Sequence, residues 1–116
     1  MSDISIYHNP RCSKSRQTLA LLEQQGIQPH IIEYIKTPPT TETLTEIITQ
    51  LGFSARDLLR KGEAIYKELN LADKSLTEQQ LIEAMCKHPK LIERPIVIHN
   101  GKAKIGRPPE SVLDIL

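Results

Sequence analysis

Apolar and polar positions along the chain change period several times, and each change marks an element. Ile4 and Ile6 alternate with Ser5 and Tyr7, the period-two pattern of a short strand with one buried face. Pro10 interrupts it, and a helix is expected from near Ser13, with Leu19 and Leu22 on one face. Gly26 suits the left-handed position just past a helix end, and Ile27 is placed to pack back on Leu22. His30 to Tyr34 reads as the next strand. Strand, helix, strand is a βαβ unit, so the two strands should be parallel with a right-handed crossover.

The period then becomes helical. Leu44, Ile47, Ile48 and Leu51 fall at i, i+3, i+4 and i+7, and Gly52 follows them. Ser54 can cap another helix, with Asp57 at its third position and Phe53 stapled to Leu58. That helix is expected to carry Leu58, Leu59 and Arg60 and to break at Gly62. A short helical piece is expected from Ala64 to Leu69. Thr77 and Gln80 form a capping box for a helix through Ile82, Met85 and Cys86 that must stop before Pro89. Alternation returns in Ile96 to His99, and Asn100-Gly101 is a strong hairpin signal that leads into Lys102 to Ile105. A last helix is expected over Glu110 to Leu116, with Pro109 in its first turn. The sum predicts an α/β protein with a thioredoxin-like four-stranded mixed sheet; by analogy with that fold, not from periodicity, the strand order should be 2-1-3-4 with the last strand antiparallel. A helical insertion, about residues 40–90, separates the βαβ half from the β-hairpin-α half, and the whole of 1–116 reads as one domain.

Composition narrows the function classes. The chain has 116 residues, with 15 Lys and Arg against 14 Asp and Glu. That balance argues against a nucleic-acid or anionic-membrane partner. No apolar run approaches the roughly 20 residues that span a bilayer. Met1-Ser2-Asp3-Ile4 lacks the basic and apolar regions of a signal peptide, so a cytoplasmic protein is expected. In a reducing compartment, Cys12 and Cys86 are expected as free thiols rather than a disulfide. A monomer without metal or bound cofactor is expected.

The chemistry concentrates in Tyr7-His8-Asn9-Pro10-Arg11-Cys12-Ser13-Lys14-Ser15-Arg16. Cys12 sits where a strand turns into a helix, among His8, Arg11, Lys14 and Arg16. Nearby cations and a helix N-terminus both lower a thiol pKa and so generate the reactive thiolate. The N–H groups of residues 13 to 15 have no helical partners and can bind an anion. Ser15 stands where a redox pair would carry a second cysteine, so no local disulfide can form. The phosphatase pattern C-x5-R is not met, because Thr18 occupies the arginine position. Cys86, with Ile82 and Met85 on an apolar helix face, reads as a packing residue. His8 reads equally as an aid to Cys12 or as a polar loop residue. Arg60, Arg94 and Arg107 each read alone as surface cations. Arg94 and Arg107 flank the hairpin that should lie beside the first strand, so both could face Cys12. The planar fork of arginine suits a tetrahedral oxyanion. Pro95 is a candidate cis proline.

These residues together resemble the glutaredoxin-dependent arsenate reductase family. The likeness rests on Tyr7-His8-Asn9-Pro10 with Cys12 and Ser15-Arg16, on Leu58-Leu59-Arg60-Lys61, and on Asp73 to Leu81. It extends through Arg94-Pro95-Ile96-Val97 and Arg107-Pro108 to Leu113-Asp114-Ile115-Leu116. The resemblance implies a thioredoxin-like fold and a catalytic Cys12 that attacks arsenate, with His8 helping to lower its pKa. It implies an oxyanion site made by Arg60, Arg94 and Arg107 with Ser15. Glutathione as co-substrate would attack the adduct, and glutaredoxin as partner would complete the reduction to arsenite. The chain departs from the well-characterised reductases in carrying Ser13-Lys14 where they carry Gly-Thr, and in lacking their C-terminal extension. It looks closer to an uncharacterised bacterial subgroup. Two other activities are compatible: a glutathione-linked oxidoreductase for mixed disulfides, and a redox-sensing regulator that binds RNA polymerase. The regulators carry C-x-x-C, and Ser15 weighs against that reading.

Overall fold

The computed structural model describes residues 4–116. The Met1-Ser2-Asp3 start, read above as unlike a signal peptide, lies outside the described residues. Two compact units are present: the chain up to Thr37 together with Arg94–Leu116, and Pro38–Glu93.

The first unit holds β1 (Ser5–Tyr7), α1 (Ser13–Gln24), β2 (His30–Ile32), β3 (Ile96–His99) and β4 (Lys102–Ile105). It closes with a 3-10 helix, Pro109–Ile115. The strands lie in the order β2-β1-β3-β4. β1 is parallel to β2 and antiparallel to β3, and β3 is antiparallel to β4. This is the expected four-stranded mixed sheet. Ile6, Leu22, Val97 and Val112 are fully buried together, with Leu19, Leu21, Ile27 and Ile115 packed around them. The helix end is built as its residues require. Gly26 has φ 77°, and the Ile27 N–H reaches back to the Leu22 carbonyl at 3.0 Å. Asn100 and Gly101 take φ 52° and 75°, the two left-handed positions of a tight hairpin turn.

The second unit holds α2 (Thr41–Leu51), α3 (Ala55–Leu58), α4 (Ala64–Glu68) and α5 (Glu78–Lys87), followed by a 3-10 turn, Pro89–Leu91. Both expected capping boxes form, Ser54 with Asp57 and Thr77 with Gln80. Gly52 ends α2 at φ 72°. Glu78 accepts the Ala55 N–H at 3.0 Å, so the first turn of α5 also holds the start of α3.

Three expectations fail at element ends. β2 stops at Ile32 instead of Tyr34. The His8 N–H takes the Ile32 carbonyl, and the Glu33 carbonyl then accepts from Lys36 and Thr37, which bends the chain away. α3 stops at Leu58 and does not reach Arg60. Leu59 pairs with Ile92, and the Arg60 N–H bonds the Leu91 carbonyl at 2.8 Å. A short extended pairing therefore replaces the last helical turn. The closing helix is 3-10, with the Ser111 N–H on the Pro108 carbonyl. Two adjacent prolines remove donors, and 3-10 geometry is common in such short pieces.

The fully buried Leu22 and the exposed Glu23 are sequence neighbours on α1. Leu22→Ala should cost about 2–5 kcal/mol, whereas Glu23→Ala should stay within about 0.5 kcal/mol. Urea unfolding of both variants checks this.

Candidate active site

Sheet register places the site. Tyr7, the last residue of β1, is opposite Ile96, the first of β3. Ile96 is opposite Ile105, the last of β4. The segments leaving β1, entering β3 and leaving β4 therefore share one end of the sheet. Those segments carry His8 to Cys12, Arg94-Pro95 and Gly106-Arg107.

The loop after β1 is held by its own backbone and by Asn9. The Asn9 side chain accepts the Arg11 N–H at 3.0 Å, and the Asn9 carbonyl accepts the Cys12 N–H at 2.9 Å. Arg16 reaches back to the Pro10 carbonyl at 2.9 Å. Cys12 thereby takes the N-cap position of α1 with extended backbone, φ −94° and ψ 123°. Its buried thiol makes no short cap bond, but the start of α1 still acts on its charge. Burial by itself pushes the thiol pKa up. The Ser15 N–H, the Arg94 guanidinium and the Lys14 N–H outweigh that and hold it below the ordinary thiol range. Arg107 adds an Nη2 contact at 3.7 Å from Sγ, and its Nε donates to the Arg94 carbonyl at 2.9 Å. The two arginines thus stand together at the sulfur. Both are followed by cis prolines, Pro95 and Pro108.

Gly106 makes the approach of Arg107 possible. Its N–H bonds the Pro95 carbonyl at 3.0 Å. A Cβ there would overlap Thr18 Oγ1 and come within 2.8 Å of Pro95 Cγ. Thr18 is fully buried, with its hydroxyl on the Lys14 carbonyl at 2.8 Å, so it has little room to yield. Sequence reading missed both residues. The signal available was a glycine immediately after a strand and before Arg107, which can mark close backbone approach.

The profile of the ArsC family matches residues 7–115. The chain belongs to the ArsC family. An Escherichia coli protein named only as uncharacterized protein YfgD is 58% identical over 97% of this chain and 96% of its own length. An Escherichia coli arsenate reductase is 49% identical over all of this chain and 82% of its own length. The solved structure of arsenate reductase from Vibrio cholerae superposes with a TM-score of 0.96 at 57% identity, covering 97% of each chain.

Within this ArsC family chain, other expected site residues stand differently from the sequence reading. His8 is buried, and its Nδ1 pairs with Ser15 Oγ at 2.7 Å. Ser15 Oγ also accepts the Asn9 N–H at 2.9 Å, which leaves the hydroxyl proton for His8. Burial lowers the His8 pKa, against Glu33 and with Arg16. His8 therefore holds the loop to α1 through Ser15, and burial works against its positive charge. The Ser15 side chain is fully buried, so what it turns toward Cys12 is its N–H. The Cys12 pKa was expected to be lowered by His8, Arg11, the distant Arg60, Arg94 and Arg107, and the helix start; the helix start and Arg94 take that part.

Arg60 belongs to the helical unit. On its own it read as a surface cation carried by the helix after Ser54. Instead its Nη1 pairs with Glu93 at 2.6 Å and its Nε with Glu63 at 3.4 Å. Cys86 is half-buried, and burial, with Glu83 adding, pushes its pKa up. Among the described residues no group of three or more His, Cys, Asp or Glu side chains could hold a metal ion. No helix among them is long and apolar enough to cross a membrane.

The two thiols are shifted in opposite directions. Iodoacetamide at pH 7 should therefore label Cys12 several-fold faster than Cys86, with the gap closing as pH rises past about 8.5, the ordinary thiol value. Because the folded Cys12 pKa is the lower one, its thiolate adds stability above that ordinary value and loses it as pH falls through the folded pKa. The stability gap between wild type and Cys12→Ser should widen accordingly with rising pH. Gly106→Ala should cost about 1–3 kcal/mol by overpacking and slow Cys12 alkylation at pH 7. Equal labelling of the two cysteines, or an unchanged Cys12 rate in Gly106→Ala, would contradict this geometry.

Proposed function

We propose that the chain is a thiol-dependent arsenate reductase of the cytoplasm, with Cys12 as nucleophile and Arg94 and Arg107 as oxyanion ligands. The observation that carries this reading is the pairing of a lowered thiol pKa with two arginines at the same sulfur. A thiolate attacks arsenic best when cations and helix N–H groups draw the oxyanion toward it. Both features stand at one end of the sheet.

In the proposed reaction the Cys12 thiolate forms a bond to arsenic, and one arsenate oxygen leaves as water. Glutathione attacks the adduct. The two sulfurs join into a mixed disulfide and give up one electron each. Arsenic(V) takes that pair and leaves as arsenite. Glutaredoxin then reduces the disulfide and returns Cys12 as a thiol. The Ser15 and Lys14 N–H groups stabilise the thiolate at the start and on its return. His8 acts as a positioning residue through Ser15. Arg60 has the same proposed oxyanion role as the other arginines. Its Nε and Nη1 are already engaged by Glu63 and Glu93, so an anion there shares the guanidinium with two carboxylates.

The test is a coupled assay with NADPH, glutathione reductase, glutathione, glutaredoxin and arsenate. Wild type should turn over and Cys12→Ser should not, while Cys86→Ser should keep its rate. Arg94→Ala removes one charge-assisted contact worth about 1.5–3 kcal/mol. It should therefore lower kcat/KM for arsenate by roughly ten- to a hundred-fold. Turnover of a glutathione mixed disulfide with none of arsenate would replace this reading by the thiol-oxidoreductase one.

A further inference from the structure

Lys14, Gln17, Leu21 and Gln24 recur at i, i+3, i+7 and i+10 of α1. They form one stripe that starts at the Cys12 end of the helix. Facing the stripe is the Pro108–Glu110 turn, and an open groove of about 350 Å³ lies between them. The groove shares backbone with the thiol site on both walls. The Lys14 N–H acts on the Cys12 thiolate, and Pro108 directly follows Arg107, whose Nη2 stands 3.7 Å from Sγ.

The walls carry one cation, Lys14, one carboxylate, Glu110, and the primary amides Gln17 and Gln24 over an apolar Leu21. No hydrogen bond or ion pair among the described residues engages those four polar side chains. A groove with one charge of each sign and two amides does not suit a simple oxyanion, which Arg94 and Arg107 already serve. It suits a zwitterion. From Lys14 to Gln24 the stripe runs about 15 Å at a rise of 1.5 Å per residue. An extended tripeptide is about 10 Å long, so it fits along the stripe with its sulfur near the Cys12 end.

We propose that this groove seats the second substrate, a small zwitterionic peptide thiol, with a carboxylate on Lys14 and the ammonium on Glu110. Glutathione is the member of that class inferred above, and the assignment rests on that reading. Gln17 and Gln24 bond its peptide groups, and Leu21 supports its backbone. The groove thus sets the affinity for the thiol separately from the affinity for the oxyanion.

The experiment uses S-methylglutathione, which has no reactive thiol, titrated into the labelled full chain carrying Cys12→Ser and followed by amide NMR shifts. Shifts should cluster at Lys14, Gln17, Gln24 and Glu110. Glu110→Lys should raise the dissociation constant by about ten-fold, the loss of one charge-assisted contact. In turnover with intact Cys12, Glu110→Lys should raise the glutathione KM while the arsenate KM holds. Shifts clustered elsewhere, absence of binding, or a glutathione KM indifferent to Glu110→Lys overturns the groove. The binding measurement contains no arsenate. A chain that binds S-methylglutathione here but reduces no arsenate keeps the groove and loses the arsenate reading. A chain that reduces arsenate with an indifferent glutathione KM does the reverse.

Discussion

The site depends on keeping a thiolate in a buried place. Burial opposes the charge on Cys12, and only dipoles and cations fixed in advance can reverse that. The start of α1 supplies two N–H groups and Arg94 supplies the cation. Neither contribution is available to an unfolded chain, so the reactive form of Cys12 is a product of folding. The loop from His8 to Arg11 exists to hold the sulfur in that place. In it the Cys12 N–H donates to the Asn9 carbonyl, the Asn9 N–H donates to Ser15 Oγ, and Ser15 Oγ pairs with His8 Nδ1.

The arginines reach the sulfur through sheet register rather than through proximity in sequence. Arg94 and Arg107 sit 82 and 95 positions after Cys12. An antiparallel hairpin returns its two outer ends to one place, and β1 runs against β3 so that its own end arrives there too. A one-residue slip in either pairing would turn the side chains to the opposite face. The tight Asn100-Gly101 turn guards that register. Gly106 then lets the end of β4 close on Thr18 and Pro95 without a side chain between them.

The helical unit follows a different logic. Its caps and amphipathic stripes are local, and both capping boxes form as their residues require. Its ionic chemistry is not local. Arg60 is neutralised by Glu63 from the next turn of chain and by Glu93 from far beyond it. Its charge therefore does not stand ready for a ligand in the way that a motif alone suggests.

Elements whose signals are short-range were legible in the sequence. A glycine past a helix, a Thr with Gln three residues on, and Asn-Gly between alternating runs each carry their own backbone chemistry. They determined the helices, the hairpin and the βαβ start. Cys12 at a helix start was legible for the same reason. Where an element stopped depended on partners elsewhere. β2 ended with its ladder at Ile32, and α3 ended because Leu59 paired with Ile92. The charge states were likewise decided by the tertiary structure. His8 read equally as an aid to Cys12 or as a polar loop residue; burial lowers its pKa, and Ser15 holds its ring. Arg11 and Arg16 are close to Cys12 along the chain, yet the cation that lowers its pKa is Arg94, one of the distant arginines expected there. Sequence spacing fixes which backbone groups meet within a turn or two. Desolvation, and the meeting of groups many tens of residues apart, come into being only when the sheet is assembled.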